Sequence, residues 1–193
     1  PDLGHLAIGA DVIFGDTTTN TGVLTFNGAA DLGLAARTIT TNVDTTLAGV
    51  VSGAADLTKA GNATLTLSGL NTFTGSTTVD AGTLVTAAGS LAATSGIQVA
   101  NGATLAAVDY HSSATLGVAA SATASISGTG LTLAAITNAG TVSFTGTTGT
   151  VTLASLGGAG TTTFASHATL TGGINGGTVT VAGNLTSDIS AGT

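Results

Sequence analysis

The sequence contains no cysteine, methionine, tryptophan or glutamate, and its single proline is Pro1. Without cysteine the chain can form neither a disulfide framework nor a thiolate metal site. Because glutamate is absent and lysine is nearly so, few strong helix formers remain besides alanine and leucine, and we expect almost no helix. Without methionine, residue 1 is not a translation start. We therefore expect residues 1–193 to form a single domain that is an excerpt or processed segment of a longer protein.

Charge of either sign is also scarce. Arg37 and Lys59 are the only basic residues besides histidine, and nine aspartates give a formal net charge of −7. Nucleic acids and anionic membrane surfaces both require clustered Lys and Arg, so we expect neither as a partner. No apolar run reaches the roughly 18 residues that span a membrane, and we expect no membrane insertion within this segment. The aspartates are expected in turns, where the side chain bonds the backbone two residues on.

Glycine, threonine and small aliphatic residues are abundant instead. The chain has 30 glycines, is 42% hydrophobic and only 6% charged, and so differs from disordered chains. A small residue, a threonine and an aliphatic residue recur at spacings near ten and near twenty residues. The threonines of this motif are Thr64, Thr83, Thr104, Thr115, Thr141, Thr150, Thr169 and Thr178. Strand, turn and strand within about twenty residues form one coil of a β-solenoid, which predicts an all-β fold of about nine or ten coils.

Within each unit, aliphatic and polar residues alternate as they do in a strand. We expect the aliphatic face to point inward and the threonines to cover the outside, each packed on its counterpart in the next coil. The residues predicted to be interior are Leu65, Leu67, Leu84, Val142, Val151 and Val179. Glycine-containing pairs between the strands supply the positive φ angles that corners require.

One stretch, Leu57–Leu84, reads LTKAGNATLTLSGLNTFTGSTTVDAGTL. It resembles the passenger-associated repeat of bacterial autotransporters, whose pattern is approximately L-T-K-x-G-x-G-T-L-T-L-S-G-x-N-T-Y-T-G-x-T followed by G-T-L. Ala63 replaces a glycine of that pattern and Phe73 replaces its tyrosine. The resemblance implies a right-handed parallel β-helix in an autotransporter passenger or a related giant β-helical surface protein. It therefore implies an extracellular or bacterial cell-surface location and a scaffold without a catalytic site.

The densest group of reactive side chains is Asp109, Tyr110, His111, Ser112 and Ser113. These residues could form a polar patch, a weak metal site or part of a hydrolase. Alternation along a strand would place Asp109 and His111 on one side and Tyr110 on the other. The favoured interpretation is a surface loop that interrupts the repeat.

Metal, cofactor and catalytic sites have little support in the sequence. His5, His111 and His167 are isolated, and no calcium-loop motif is present. Glycoside hydrolysis needs two carboxylates about 5 to 10 Å apart, which neighbouring coils could supply as Asp11 with Asp31 or Asp31 with Asp56. Basic groups and aromatic platforms for sugars are scarce, however. We expect no enzyme activity, no cofactor and no metal, and we assign no catalytic residue.

An ice-binding β-solenoid is an alternative, because flat arrays of threonine can order water. Thr-x-Thr occurs with irregular spacing, for example at Thr38/Thr40, Thr64/Thr66, Thr150/Thr152, Thr161/Thr163 and Thr178/Thr180. Threonine is also the expected outward residue of any uncharged β-helix. A polysaccharide-active enzyme is the weaker alternative.

The favoured function is therefore structural: a stalk or fibre segment of a surface protein that supports adhesion to a host or matrix surface, or self-association. The ends of a solenoid are unpaired edge strands. We expect them either to continue into further repeats or to stack end to end with copies of the chain.

Overall fold

The computed structural model describes residues 5–16 and 22–187, and within these ranges the protein is built from 23 strands without a helix. The first twelve strands are β1 Leu6–Ala7, β2 Val12–Phe14, β3 Leu24–Phe26, β4 Ala30–Asp31, β5 Arg37–Thr41, β6 Thr45–Leu47, β7 Val51–Ser52, β8 Leu57–Ala60, β9 Thr64–Leu67, β10 Thr77–Val79, β11 Thr83–Thr86 and β12 Gly96–Val99. The others are β13 Thr104–Val108, β14 Thr115–Val118, β15 Thr123–Ser127, β16 Thr132–Asn138, β17 Thr141–Phe144, β18 Thr150–Gly157, β19 Thr161–Phe164, β20 His167–Leu170, β21 Ile174–Asn175, β22 Thr178–Val181 and β23 Leu185–Ser187.

The strands stack into three sheets in which all pairings are parallel. A nine-stranded sheet runs β3-β6-β9-β11-β13-β15-β17-β19-β22, so it receives one strand from each of nine coils. An eleven-stranded sheet runs β2-β5-β8-β10-β12-β14-β16-β18-β20-β23, with β21 also paired to β18. The third sheet, β1-β4-β7, covers only the first coils. The predicted β-solenoid of about nine coils is confirmed, whereas the handedness stays a prediction.

The two sequence periods have a simple structural origin. Thr104 begins β13 in the nine-stranded sheet, and Thr115, eleven residues later, begins β14 in the eleven-stranded sheet. The short period is therefore the step from one sheet to the other across a corner. The long period is a full coil, which returns Thr83 to the register of Thr64.

The interior is a stack of aliphatic side chains, as predicted. Leu65, Leu67, Leu84, Val142 and Val151 are all at most 1% exposed. Val179, in the last coil of the nine-stranded sheet, is half-buried against the same core. Burial of each large aliphatic side chain is worth about 1.5–3 kcal/mol, so the stack is the main source of stability.

The assignment of threonine to the outside is right for one array and wrong for another. The outward array is in register over seven coils of the nine-stranded sheet: Thr64, Thr83, Thr104, Thr123, Thr141, Thr161 and Thr178. This array is more regular than the spacing of Thr-x-Thr in the sequence indicates. Other threonines are buried, namely Thr41, Thr45, Thr77, Thr86, Thr94, Thr147 and Thr162. Most of their hydroxyls have internal partners, as where Thr77 Oγ1 lies 3.2 Å from Thr94 Oγ1.

Aspartates hold the corners between coils. Only Asp31 among those with described carboxylate bonds behaves as predicted, accepting the N–H of Gly33 two residues on at 2.9 Å. Four others accept a backbone N–H from a later coil: Asp11 from Thr38, Asp44 from Thr64, Asp56 from Ser76 and Asp109 from Thr129. The turn assignment is therefore right, but the hydrogen bonds join coils because stacked corners bring those N–H groups closer.

The third face of the rod is formed by strands in the first coils and by turns in a later coil. After β7, the segment 71–75 continues the ladder through Thr72 and Thr74, whose N–H groups donate to Val51 and Gly53 at 2.8 and 3.1 Å. In the following coil, residues 88–95 form consecutive turns instead of a strand. This replacement, here called the turn segment, positions the groove described below. Within the described ranges, no helix is long and apolar enough to cross a membrane.

Candidate functional site

The polar cluster Asp109–Ser113 lies at the corner between β13 and β14. Asp109 is the one non-glycine residue with a positive φ (45°) in the described ranges, and its Oδ1 accepts the N–H of Thr129 at 3.1 Å. Nδ1 of His111 accepts the N–H of Thr132 at 3.3 Å. Both side chains thus face outward and hold adjacent coils in register.

Tyr110 points the other way and is only 3% exposed. Burial raises the pKa of its phenol because the charged phenolate is disfavoured away from water. The nearby Ser112 side chain partly offsets this rise in the pKa of Tyr110. The Tyr110 hydroxyl nevertheless has no partner in hydrogen-bonding geometry. The Ser112 hydroxyl instead accepts the N–H of Ala114 at 3.0 Å. The cluster is therefore split between the surface and the interior.

A surface groove of about 480 Å³ lies beside this cluster, between the turn segment and the coils above it. Its polar lining consists of His111, Ser112, Ser113 and Thr132. Its apolar lining consists of Ala92, Leu133 and Ala134. Ser112 and Leu133 are bridged in parallel, so the floor is formed by two adjacent coils.

The other candidate histidines lie elsewhere. His167 Nδ1 accepts the N–H of Asn184 at 3.0 Å, the same coil-joining role that His111 has. His5 is exposed near the start of the described part. In residues 5–16 and 22–187, no three His, Cys, Asp or Glu side chains are grouped so that they could hold a metal ion.

The candidate carboxylates occupy different parts of the coil. Asp31 lies in β4 of the three-stranded sheet, where it is paired with Ala7 and Ser52. Asp11 and Asp56 directly precede strands of the eleven-stranded sheet, and each accepts a backbone N–H there. The register therefore places neither Asp11 nor Asp56 in the column of Asp31.

The largest buried polar group is one that the sequence interpretation missed. Lys59 is completely buried in the interior, in the column between Ile39 and Val79. Its ammonium group donates to three carbonyls, those of Ala60, Gly61 and Ala81, at 3.0, 2.8 and 2.9 Å. Burial lowers the pKa of Lys59 from 10.5 to about 8. Strict alternation from Leu57 could have revealed its direction, because residues two apart in a strand share a face.

Several small and polar residues of the Leu57–Leu84 stretch have structural roles. Asn71 is buried, and its Oδ1 accepts the N–H of Val51 on the previous coil at 2.8 Å. At Gly69 a Cβ would collide with the carbonyl of Gly49, and at Gly75 with that of Ala55. These positions bring the backbones of successive corners into direct contact, which only glycine permits.

Comparison with known proteins points to the same stretch. A family model described as "Passenger-associated-transport-repeat" matches residues 57–85. The chain is also similar to "Adhesin BmaC autotransporter" of Brucella suis biovar 1 (strain 1330), with 41% identity over 106 residues. The match covers 53% of this chain and 3% of the relative, so the chain corresponds to a small part of that protein's length. No solved structure matches the chain.

These comparisons confirm the resemblance carried by Leu57–Leu84, and they give no support to the ice-binding alternative. The matched residues form β8 to β11, two strands in each of the long sheets. The chain therefore carries an autotransporter passenger repeat, built into a parallel β-solenoid.

Proposed function

We propose that the chain is a non-catalytic rod segment of a passenger displayed on the bacterial cell surface, where it supports adhesion. The observation that carries this proposal is the nine-coil parallel ladder with a passenger repeat in it. Such a ladder extends a protein by about 4.8 Å per coil and presents long, flat faces. The name of the similar Brucella protein, an adhesin, supports an adhesive role.

The use of the reactive side chains supports a non-enzymatic role. Asp56, Asp109 and His111 each accept a backbone N–H of another coil. The two fixed positive charges are also engaged with the backbone, since Arg37 Nε donates to the Ile8 carbonyl at 2.7 Å and Lys59 donates to three carbonyls. Side chains that maintain the stack are poorly placed to move protons or attack a substrate.

Surface display is tested by antibodies raised against the folded 193-residue segment. They should label intact bacteria that make the full protein, and the purified segment coated on beads should promote attachment to the cells or matrix that those bacteria colonise. Beads coated with a Leu67→Asp variant are the control, because that substitution should unfold the rod while changing a single residue of the sequence. Labelling only after lysis would contradict surface display, and equal attachment by both bead types would contradict a role for the folded rod.

We further propose that the terminal coil accepts another coil, either from continuation of the chain or from a second copy. Val179 and Val181 in β22 are half-buried, and Leu185 in β23 is 40% exposed. By contrast Phe164, which precedes Val181 in the same interior column, is fully buried. Within residues 22–187 the nine-stranded sheet ends at β22, and an apolar interior bounded by an edge strand is a template for strand addition.

Light scattering and electron microscopy on the isolated segment test self-stacking. Filaments should form, and they should be shortened or lost when Thr180 in β22 is replaced by proline, which cannot donate to the ladder. The outward residue Thr163 in β19 gives an internal comparison, since Thr163→Pro should damage the fold itself. A monodisperse monomer at high concentration, unchanged by Thr180→Pro, would rule out self-stacking.

A further inference from the structure

The turn segment is the place where the described rod leaves polar groups without partners. The backbone N–H groups of Ser90 and Ala92 bond within the segment, to Ala87 and Gly89 at 3.1 and 3.2 Å, whereas the Ser90 and Thr94 side chains bond to the previous coil. Two buried side-chain atoms among the described residues lack a partner, and they are Asn71 Nδ2 and the Tyr110 hydroxyl. Buried polar groups are normally satisfied, so these two atoms mark where the regular stacking is interrupted.

Both unpartnered groups belong to the coils on either side of the turn segment. Ser90 Oγ donates to the Gly69 carbonyl at 2.7 Å, which seats the turn segment on the coil that contains Asn71. Tyr110 lies against the opposite side, where it lines a crevice together with residues 89–92. The groove of about 480 Å³ opens beside the same crevice and shares Ala92 and His111 with it.

The polar lining of the groove is rich in hydrogen-bond donors. Because His111 Nδ1 accepts the Thr132 N–H, the neutral imidazole carries its proton on Nε2, which is a donor. The Ser112 side chain is buried beside Tyr110 and accepts the Ala114 N–H, so it is not counted among the donors of the groove. Exposed hydroxyls of Ser113 and Thr132 can both donate and accept.

The charges around the groove disfavour anions and metal ions. An anion would find no basic partner, because Arg37 and Lys59 are bound to carbonyls of other coils. It would also be repelled by Asp109, which is in the same corner as His111. A metal ion would find only that one carboxylate, whose Oδ1 already accepts the Thr129 N–H. The groove therefore suits a neutral ligand.

We propose that this groove binds a neutral hexopyranose unit of a polysaccharide or glycan. The hydroxyls of the sugar would pair with His111 Nε2 and with the exposed hydroxyls of Ser113 and Thr132, while its C–H face would lie against Ala92 and Leu133. A mostly apolar lining with a few convergent polar groups, and a volume between about 300 and 1,000 Å³, is typical of small-molecule sites. The inference does not rest on the proposed adhesive function, because binding at the groove is measured on the isolated chain.

The test is a titration of the ¹⁵N-labelled 193-residue chain, followed by NMR, with the methyl glycosides of glucose, galactose, mannose and N-acetylglucosamine. At least one of the four should cause saturable shifts confined to the amides of residues 111–114 and 132–134, with a Kd near the millimolar range that single sugars reach. Absence of saturable shifts there with all four would overturn the proposal. A capped peptide of alternating threonine and alanine is a further arm, and shifts caused by the peptide alone would assign the groove to an extended peptide instead.

Two neighbouring alanines provide a matched pair of variants. Ala92 and Ala93 are both exposed in the turn segment, but only Ala92 lines the groove. Ala92→Trp should fill the groove and weaken sugar binding by about tenfold or more, whereas Ala93→Trp should leave it unchanged. Circular dichroism of both variants verifies the fold. Equal binding by the two variants would show that any bound sugar lies outside the groove and would overturn the assignment.

Discussion

The repeat segment, residues 57–86, and the interrupted segment, residues 87–113, adjoin along the rod but differ in how their corners are held. In the repeat segment the corners are held by direct backbone contact at Gly69 and by the buried ammonium of Lys59. The corner at the end of the interrupted segment depends on exposed acceptors, Asp109 and His111, which act as Asp44 and Asp56 do for the N–H groups of the repeat segment, but without the glycine contact and the buried ammonium. Asp109 there adopts a φ of 45°, which side chains rarely tolerate.

This difference indicates why the residue types of the repeat can be recognised in the sequence. Residues become fixed in type where the backbone of one coil touches the next, because few side chains fit there. Where the turn segment replaces the strand, a groove forms between it and the coils that follow. The repeat therefore marks the scaffold, and a binding site is more readily accommodated in the coil beside it.

The largest expected effect on stability comes from placing a charged residue in the interior of each segment. Leu67→Asp in the repeat segment should destabilise the protein by more than about 4 kcal/mol, because an unpaired carboxylate would lie in a dry core. Leu91→Asp in the turn segment should cost about half as much, since the backbone N–H groups of Ser90 and Ala92 bond within the turn and local rearrangement can bring the new carboxylate to water. Denaturant unfolding monitored by circular dichroism measures both. Equal losses would show that the turn segment is packed as rigidly as the repeat.

Replacing a glycine by alanine should also destabilise the repeat segment more than the interrupted segment. At Gly69 the added Cβ would collide with the Gly49 carbonyl, and we expect Gly69→Ala to cost about 3 kcal/mol. At Gly96 no heavy atom lies within 4 Å of the added Cβ, so Gly96→Ala should change stability by less than about 0.5 kcal/mol. Thermal and denaturant midpoints decide this comparison. A neutral Gly69→Ala would contradict the direct contact of successive corners.

The sequence predicted the solenoid because its two periods and its alternation are both properties of the chain itself. Leu65 and Leu67 are interior because aliphatic and polar residues alternate along the strand, which is the pattern that predicted their position. The direction of Lys59 was missed because a charged residue is expected to face water, although its spacing from Leu57 placed it inside. The partners of Asp56 and Asp109 could not be predicted, since each lies about twenty residues away and depends on how the corners stack.

The candidate site was predictable only in part. The cluster Asp109–Ser113 and its alternation were visible in the sequence, and the structure places Tyr110 inside and His111 outside accordingly. The groove was not visible, because it requires Ala92 from one coil and Leu133 from another. Neither residue carries a signal of binding, and only the replacement of a strand by the turn segment brings them together.

The two segments should also respond to alkaline pH with opposite signs. Lys59 has a folded pKa of about 8, below its usual 10.5, so the unfolded chain binds more protons between these values and stability should rise with pH there. The rise is at most about 3 kcal/mol, and the three carbonyl acceptors reduce it by favouring the charged amine. Burial raises the pKa of Tyr110 above 10, so its contribution falls as pH increases beyond 10.

Single variants separate the two titrations. Lys59→Met should remove the rise between pH 8 and 10.5, and Tyr110→Phe should remove the fall at higher pH. Denaturant midpoints recorded over this range, with the wild-type chain alongside, provide the measurement. A rise that persists in Lys59→Met would assign it to another group and contradict the buried position of the ammonium.

The smallest expected effect concerns the corner at Asp109. Asp109→Ala removes the acceptor of the Thr129 N–H and leaves alanine in a left-handed conformation, so we expect a loss of about 1 to 2 kcal/mol. Asp109→Asn keeps an acceptor and tolerates the positive φ, and it should cost less than about 0.5 kcal/mol. Unfolding midpoints of the two variants test this, and equal losses would mean that the carboxylate charge matters rather than the hydrogen bond.

Residue-resolved hydrogen exchange on the native chain tests the central claim most directly. A stacked solenoid with one interrupted face should protect the amides of the nine-stranded sheet from β6 to β19 with opening energies close to global unfolding. Amides of the turn segment 88–95 should exchange far faster than those of β9 and β11. Uniformly weak protection across the nine-stranded sheet, or protection of residues 88–95 equal to that of β9, would contradict the account.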